Sequence, residues 1–204
     1  MNLKLQQVIT IRHYSMLNVF KGNVLDVQNN TATIKLSKEC LKTSFIKDDP
    51  LVVAFEADGT VEIIGGRIID FSRDAEQLIF EEDQMDQGMQ MRSYERHPVS
   101  LYADFRLIDG GVSKKCFALV KDISEHGILI YATESLYKGH KLYLDIFLTR
   151  DILSLTAEIV RKVECDNYFE YGLKIQHNGP NVLNHIKNLV KKAQQEHFIK
   201  FNRE

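Results

Sequence analysis

The sequence predicts an all-β protein built from two small antiparallel β-barrel domains and a C-terminal α-helix. Three observations indicate this fold: short apolar runs separated by turn residues, apolar–polar alternation in the second half, and a change to helical spacing near the C-terminus. The length of 204 residues suits two small hydrophobic cores. With 44% hydrophobic and 26% charged residues, the chain has the composition of folded domains, which disfavours a disordered protein or a coiled coil.

Six short runs in the first half are compatible with β-strands. They cover residues 17–27, 31–36, 51–55, 60–64, 67–71 and 77–80. The pairs Asn29-Asn30, Asp58-Gly59 and Gly65-Gly66 separate these runs and predict turns, because these residue types tolerate the backbone conformations of tight turns. Ser37 precedes a short helix-compatible stretch, which we expect to form a single turn over one end of a barrel.

Residues 81–90 mark a change in composition between the two halves. They contain four carboxylates, a glycine and no basic side chain, which predicts a linker, with a solvated helical turn as the alternative. We therefore place the first domain at 1–85 and the second, with its preceding linker, at 86–204. The net charge of −2 is unevenly divided, since residues 1–90 carry 9 basic and 14 acidic side chains and residues 91–204 carry 17 and 14. The total excludes a generally basic nucleic-acid binder.

The second half predicts six strands and one helix. Every second residue from Val99 to Phe105 is apolar, as in a strand with one buried face. Further runs lie at residues 114–121, 127–132, 141–148, 155–163 and 169–176. Their regular spacing favours a closed or nearly closed barrel, in which no strand edge is exposed. After Pro180, apolar residues recur at helical spacing over 182–193, which predicts a helix that plugs or flanks the barrel. Its basic face is most simply solvated, with a membrane-surface or partner-binding role as the alternative.

Several classes of protein are disfavoured by what the sequence lacks. No run approaches the roughly 18 apolar residues of a membrane helix, and the N-terminus lacks a signal-peptide pattern, so we expect a cytoplasmic protein. Cys40, Cys116 and Cys165 are far apart, which predicts buried thiols and not a disulfide framework or zinc site. Common nucleotide-cradling, zinc-protease and serine-hydrolase motifs are absent. The sequence therefore predicts no enzyme, no cofactor and no metal site.

Two motifs in the second half carry the functional prediction. Arg92 and Arg96 form an RxxxR motif immediately before the first strand of this domain. Asp122, Ser124 and Gly127 form a DxSxxG motif between two strand runs. Each is weak alone, because arginines four residues apart are common and Asp, Ser and Gly build ordinary turns.

In combination, the two motifs resemble the PilZ domain family. The resemblance extends to the strand order, the strand that contains Gly172, and the terminal helix. It implies a six-stranded barrel that binds the bacterial second messenger cyclic di-GMP. Met91, directly before the arginine motif, and Gly172 complete the implied site. Met91 offers no cationic contact, so the choice between one and two nucleotides per site stays open.

The chemistry of this ligand matches the motif residues. Cyclic di-GMP has two phosphodiester charges and two guanines. The guanidinium groups of Arg92 and Arg96 can bind phosphate oxygens and guanine O6 and N7 bidentately, and they can stack on purines. Asp122 is the complementary acceptor for guanine N1–H and N2–H₂, Ser124 supplies a short hydroxyl, and Gly127 lets the backbone approach the base closely.

The first half resembles, more loosely, the split-barrel domain of flagellar-brake type PilZ proteins, in residues 22–27 and 51–55 and around Gly65-Gly66. Together these resemblances imply a non-enzymatic receptor that converts cyclic di-GMP binding into a domain rearrangement. Its partner would belong to flagellar, adhesion or polysaccharide machinery, so that it regulates motility, adhesion or exopolysaccharide production. The alternative is a PilZ-like protein–protein interaction module that does not bind nucleotide. Single-stranded nucleic acid is a third ligand class, disfavoured because the chain is net acidic and has no tryptophan.

Overall fold

The computed structural model describes residues 1–14, 18–42, 44–83, 96–108, 114–148, 151–176, 184 and 186–188. The chain divides into two units, Met1–Met89 and Gln90–Glu204. Each unit contains one closed, six-stranded antiparallel barrel, which confirms the predicted all-β fold.

The first barrel closes between its first and fourth strands. Its strands are β1 (Val8–His13), β2 (Phe20–Gln28), β3 (Thr31–Leu36), β4 (Pro50–Ala57), β5 (Thr60–Ser72) and β6 (Gln77–Glu82). Their order around the barrel is β1-β2-β3-β6-β5-β4, and every strand contributes buried apolar side chains to the interior. The single turn predicted after Ser37 is present as a 3-10 turn at Cys40–Lys42.

Three details of this barrel differ from the sequence predictions. β1 is missing from the predicted strands, although its core residues Ile9 and Ile11 alternate with the polar residues Thr10 and Arg12. The Gly65-Gly66 pair forms no turn: both glycines lie inside β5, and the runs predicted at 60–64 and 67–71 are one strand. Gly66 is required there because a Cβ would overlap the carbonyl oxygen of Glu81 on β6. β6 continues through Glu82, so the first two residues of the predicted linker belong to the barrel, whereas 84–90 lie outside the described residues.

The second barrel has all six of the strands that the sequence predicts. They are β7 (His97–Leu107), β8 (Cys116–Ile123), β9 (Gly127–Ala132), β10 (Lys141–Phe147), β11 (Ile152–Glu164) and β12 (Phe169–Gln176). Their order is β10-β11-β12-β9-β8-β7, and β10 pairs with β7 to close the barrel. The alternating apolar residues from Val99 to Phe105 belong to the buried core. The other face of each strand is thereby left to build the outer surface.

A short part of the predicted terminal helix lies among the described residues. Asn184 and residues 186–188 are helical, and Ile186, only 1% exposed, packs in the core of the second barrel. The remainder of the helix predicted over 182–193 lies outside the described residues. Within the described part of the chain, no helix has the length and hydrophobicity needed to cross a membrane.

Candidate functional site

The DxSxxG motif forms the tight connection between β8 and β9. The Ser124 hydroxyl accepts a hydrogen bond from the Gly127 amide at 3.0 Å and donates one to the Gly127 carbonyl at 3.1 Å. The Ser124 amide also donates to that carbonyl, at 2.8 Å. Because Ser124 is only 5% exposed and its hydroxyl is used twice within the turn, it fixes the shape of this loop.

Gly127 lies at a close approach between two strands of the barrel. Turns often select glycine because it tolerates a left-handed backbone conformation. The φ angle of Gly127 lies outside that region, so this does not explain why glycine occupies the position. A Cβ at this position would lie 3.1 Å from the carbonyl oxygen of Leu173 on β12 and 3.5 Å from Ser124 Oγ. The close approach that glycine permits here is therefore between β9 and β12.

Arg96 and Asp122, from different motifs, form an ion pair. Arg96 immediately precedes β7, and Pro98 on β7 pairs with Asp122 near the end of β8, which brings the two side chains together. Arg96 Nη1 lies 3.2 Å from Asp122 Oδ2 and 3.4 Å from Oδ1. The arginine side chain is 35% exposed and the aspartate side chain 16%, so both are accessible to a ligand. Arg92 and Met91 fall outside the described residues.

Asp122 begins a row of residues across the outer face of the barrel. Strand pairing aligns Asp122 with Leu129 on β9, Leu129 with Gly172 on β12, and Gly172 with Arg161 on β11. The chain neighbours of Leu129 and Gly172 point into the barrel core, so these two residues lie on the outer side of their strands, where both are nevertheless buried, with Leu129 7% exposed. We call Asp122, Leu129, Gly172 and Arg161 the outer row. It joins Gly172, predicted as a site residue, to Asp122, and it adds Arg161.

Irregular strand pairing occurs on both sides of the outer row. The register shifts between Val120 and Asp122 against β9, and between Ile159 and Arg161 against β12. A third shift, between β7 and β8, follows Pro98, which pairs with Asp122. Bulges of this kind turn side chains away from regular alternation and are frequent beside functional sites.

Tyr171 anchors the strand that carries Gly172. Its hydroxyl donates to the Glu134 carbonyl and accepts from the Leu136 amide, each at 2.8 Å. Burial raises the pKa of Tyr171 above its usual value, and the carboxylates of Glu134 and Glu164 add to the increase, although the hydrogen bond from Leu136 opposes it. The neutral phenol thus holds the loop after β9 against β12.

The terminal helical segment contacts the motif loop directly. Lys187 Nζ lies 2.9 Å from Oε1 of Glu125, which lies between Ser124 and Gly127. Arg161 is not marked by a sequence motif, because it acquires its position from strand pairing. Glu125 occupies a variable position of the DxSxxG motif, and its contact with Lys187 is a tertiary one. The alignment of Asp122, Leu129 and Gly172 on one face can be recognised only when the register of the strands is known.

Chemically, the site combines a guanidinium and a carboxylate at one end of the outer row with an apolar and side-chain-free middle. Such an arrangement suits a flat ring that carries hydrogen-bond donors on one edge and is joined to an anionic group. Among the described residues, no group of histidine, cysteine, aspartate and glutamate side chains could hold a metal ion.

Comparisons with known proteins identify the second barrel. A family scan matches residues 90–192 to the PilZ domain. Similar solved structures include the inhibitor of motility MotI/DgrA from Bacillus subtilis, with TM-score 0.42 and 16% identity over 95% of this chain and 99% of that one. YcgR from Escherichia coli, in complex with c-di-GMP, has TM-score 0.46 and 11% identity over 97% and 88%. The MrkH–c-di-GMP complex from K. pneumonia has TM-score 0.46 and 11% identity over 96% and 90%. Likeness at this level does not identify the binding residues of this chain. A search of curated proteins finds no match.

Proposed function

The chain belongs to the PilZ domain family, and on this premise we propose that it is a non-catalytic receptor for cyclic di-GMP. The observation that carries the proposal is the pairing of Arg96 with Asp122 beside the ordered DxSxxG turn. Two unrelated segments of the chain supply a cation and an anion to one partly exposed location, which has the complementary polarity that guanine and phosphate require.

Each motif residue has a defined task in this proposal. Arg96 binds a phosphate oxygen or the O6 and N7 edge of guanine, and Arg92 provides a second guanidinium of the same kind. Asp122 accepts hydrogen bonds from guanine N1–H and N2–H₂. Ser124 and Gly127 act by holding the loop that presents Asp122, since the Ser124 hydroxyl is already used by the turn.

Ligand binding exchanges one set of ionic contacts for another. Without ligand, Arg96 and Asp122 neutralise each other at 3.2 Å. The nucleotide offers the arginine a phosphate and the aspartate a guanine edge, so the ion pair opens and both groups gain charge-assisted hydrogen bonds. The affinity is therefore the surplus of the new contacts over the ion pair that is lost.

The proposed output is a change in domain arrangement in the cytoplasm. Arg92 and Arg96 directly follow the acidic stretch that leads from the first domain to the second. Ligand contacts to both arginines would fix this stretch against the second barrel and so alter how the two domains are presented to a partner. The partner class remains flagellar, adhesion or polysaccharide machinery, with regulation of motility, adhesion or exopolysaccharide production as the result.

One observation favours a second candidate, a PilZ-like interaction module that binds no nucleotide. Arg96, Asp122 and Ser124 all have partners within the protein, so the loop is stable without a ligand. In that case the motif residues would serve the fold of the barrel, and a partner protein would bind equally well with and without cyclic di-GMP.

Calorimetric titration with cyclic di-GMP distinguishes the two functions. The wild-type protein should bind with micromolar or tighter affinity. Arg96→Ala removes a charge-assisted contact of about 1.5–3 kcal/mol, offset by about 1 kcal/mol for the lost ion pair, so binding should weaken about two- to thirtyfold. Arg106→Ala is the matched control, because Arg106 is 46% exposed and lies 3.8 Å from Asp145. An absence of heat with the wild-type protein would refute the receptor function.

A further inference from the structure

Two aspartates lie side by side on another part of the outer surface of the second barrel. Strand pairing places Asp104 on β7 directly opposite Asp145 on β10, with their Cα atoms about 5 Å apart. The chain neighbours of both residues belong to the core, so the two carboxylates share the outer side of the sheet. Like charges directly opposite each other on neighbouring strands are unfavourable, so this pair needs cations around it.

The cations that the chain itself supplies are poorly placed. Lys115 Nζ lies 2.7 Å from Asp104 Oδ2, yet this oxygen, on a side chain only 3% exposed, accepts no hydrogen bond from the described residues. Arg106 Nη2 lies 3.8 Å from Asp145 Oδ2, which is longer than a hydrogen bond. The side chains of Lys115 and Arg106 are 58% and 46% exposed. Ion pairs of such exposed, flexible side chains contribute little, so a better-placed cation can replace them.

Aromatic rings surround the position of the Lys115 ammonium. The ring centroid of Tyr102 lies 5.9 Å from that of Phe117 and 5.3 Å from that of Phe147. Lys115 Nζ lies 5.9 Å from the centroid of Phe147, so it occupies a cation position between an aromatic ring and a carboxylate. A guanidinium suits this position better than an ammonium, because it stacks on aromatic rings and its planar fork binds carboxylate oxygens through several donors at once.

Exposed apolar side chains flank the two carboxylates. Phe117, 42% exposed, lies opposite Asp104 on β8, and Ile152, 58% exposed, lies opposite Phe147 on β11. A charged anchor that loses its water among aromatic and apolar contacts is typical of the energetically dominant part of a protein–protein interface. The kind of partner that fits is therefore a protein segment in which an arginine lies between apolar residues.

We propose that this surface, the carboxylate face formed by Asp104, Asp145, Phe117, Phe147 and Ile152, docks a partner protein through an arginine. The arginine displaces Lys115 from Asp104 and bridges the two carboxylates, while its apolar neighbours pack against the exposed side chains. Lys115 thereby holds the site closed until a partner arrives. The carboxylate face is distinct from the proposed nucleotide site, because β7 and β10 contribute no residue to the outer row.

NMR titration of the wild-type protein with a short peptide tests the proposal without cyclic di-GMP. The probe is acetyl-Leu-Arg-Leu-amide, and the matched peptide carries citrulline, which has the shape of arginine without its charge. The arginine peptide should shift the backbone amide signals of Asp104, Phe117 and Asp145 at millimolar concentration, and the citrulline peptide should bind at least tenfold more weakly. Equal binding of the two peptides, or shifts confined to other strands, would overturn the proposal.

Variants of the carboxylate face separate docking from a purely structural role. Asp104→Asn should bind the arginine peptide at least fivefold more weakly. Glu164→Gln, the control, should stay within twofold, because Glu164 pairs with Lys162 at 3.1 Å on the same barrel, outside the carboxylate face. Lys115→Met should bind at least threefold more tightly, since it removes the competing cation and keeps the apolar stem.

Equal affinities of folded Asp104→Asn and Glu164→Gln would overturn the proposal, whether or not Lys115→Met folds. Unchanged affinity of a folded Lys115→Met would overturn the displacement of Lys115. Shifts of the same amide signals on raising the protein concentration without peptide would assign the carboxylate face to a second copy of this chain, and would overturn docking of a different protein.

Discussion

The exchange of the Arg96–Asp122 ion pair for ligand contacts has a thermodynamic signature. If each side chain contacts the nucleotide and the pair opens on binding, either single alanine substitution removes a ligand contact and also removes the pair that binding would break. The double substitution removes both ligand contacts, but it removes the free-energy cost of breaking the ion pair only once. Its loss of binding free energy therefore exceeds the sum of the two single losses by the contribution of the ion pair.

The structure sets the size of this excess. Both carboxylate oxygens of Asp122 are approached, at 3.2 and 3.4 Å, and the aspartate side chain is 16% exposed, which places the pair at the strong end of surface ion pairs, about 1 kcal/mol. With contacts of about 1.5–3 kcal/mol each, the single variants lose about 0.5–2 kcal/mol. The double variant should therefore bind about fivefold more weakly than the product of the single effects predicts.

Four titrations with cyclic di-GMP at one ionic strength complete this cycle: wild type, Arg96→Ala, Asp122→Ala and the double variant. NMR titration can replace calorimetry for the weakest binder. Arg106→Ala and Asp145→Ala form the matched control cycle, because this pair lies on the same barrel at 3.8 Å and outside the outer row. Strict additivity of the Arg96 and Asp122 effects would refute the exchange, since it would mean that the pair survives in the complex or contributes nothing without ligand.

Three further predictions concern stability. Gly66→Ala should destabilise the first barrel by about 3 kcal/mol or more, because the new Cβ overlaps the Glu81 carbonyl; loss of hydrogen-exchange protection in β5 and β6 measures this, and wild-type protection would contradict it. Lys115→Ala should lower the free energy of unfolding by about 1–3 kcal/mol in urea denaturation. The side chain of Asp104 is 3% exposed, its Oδ2 accepts no hydrogen bond within the described part of the chain, and the Lys115 ammonium 2.7 Å away is the charge that compensates it; adding Asp104→Asn should therefore restore most of the loss. Burial, with a smaller effect of the Asp104 charge, raises the pKa of Tyr102 from 10.0 to about 12, so the unfolded chain releases this proton first and wild-type stability falls between pH 10 and 12. The free energy of unfolding of Tyr102→Phe, measured by urea denaturation, should fall less than that of the wild type over that pH range. Parallel plots of unfolding free energy against pH for the two proteins would exclude the effect.

Most strands could be predicted from apolar runs and from the turn residues that separate them. β9 and β12 occupy the ranges expected from the sequence, and the interior positions of β7 follow the expected alternation. The failures have local causes. β1 is a run of six residues in which Ile9 and Ile11 mark the core face, and Gly66 marks a close approach to β6 although a Gly-Gly pair resembles a turn signal in the sequence.

The candidate site could be predicted only where residues are close in the chain. The DxSxxG spacing specifies its own turn, so its local geometry follows from Ser124 and Gly127. The contact between Arg96 and Asp122 spans 26 positions and depends on the pairing of β7 with β8. Arg161 has no motif around it, because a residue joins the outer row through the register of three strand pairs, and single-sequence periodicity does not determine register.

The breaks in alternation nevertheless connect the fold to the function. A barrel of this size fills its interior with side chains, so a binding surface must lie on the outer face, where regular pairing would give an even sequence of solvated residues. Bulges change this locally by adding one residue to one strand. On β8 the bulge places two residues, Lys121 and Asp122, between the core positions Val120 and Ile123 instead of one, and on β11 the same irregularity precedes Arg161. Deleting Lys121 should restore regular pairing and leave Asp122 opposite Leu129 on the outer face, so this variant should retain both β-sheet circular dichroism and cyclic di-GMP binding. Loss of binding by the folded variant would show that the bulge itself is needed to position the site.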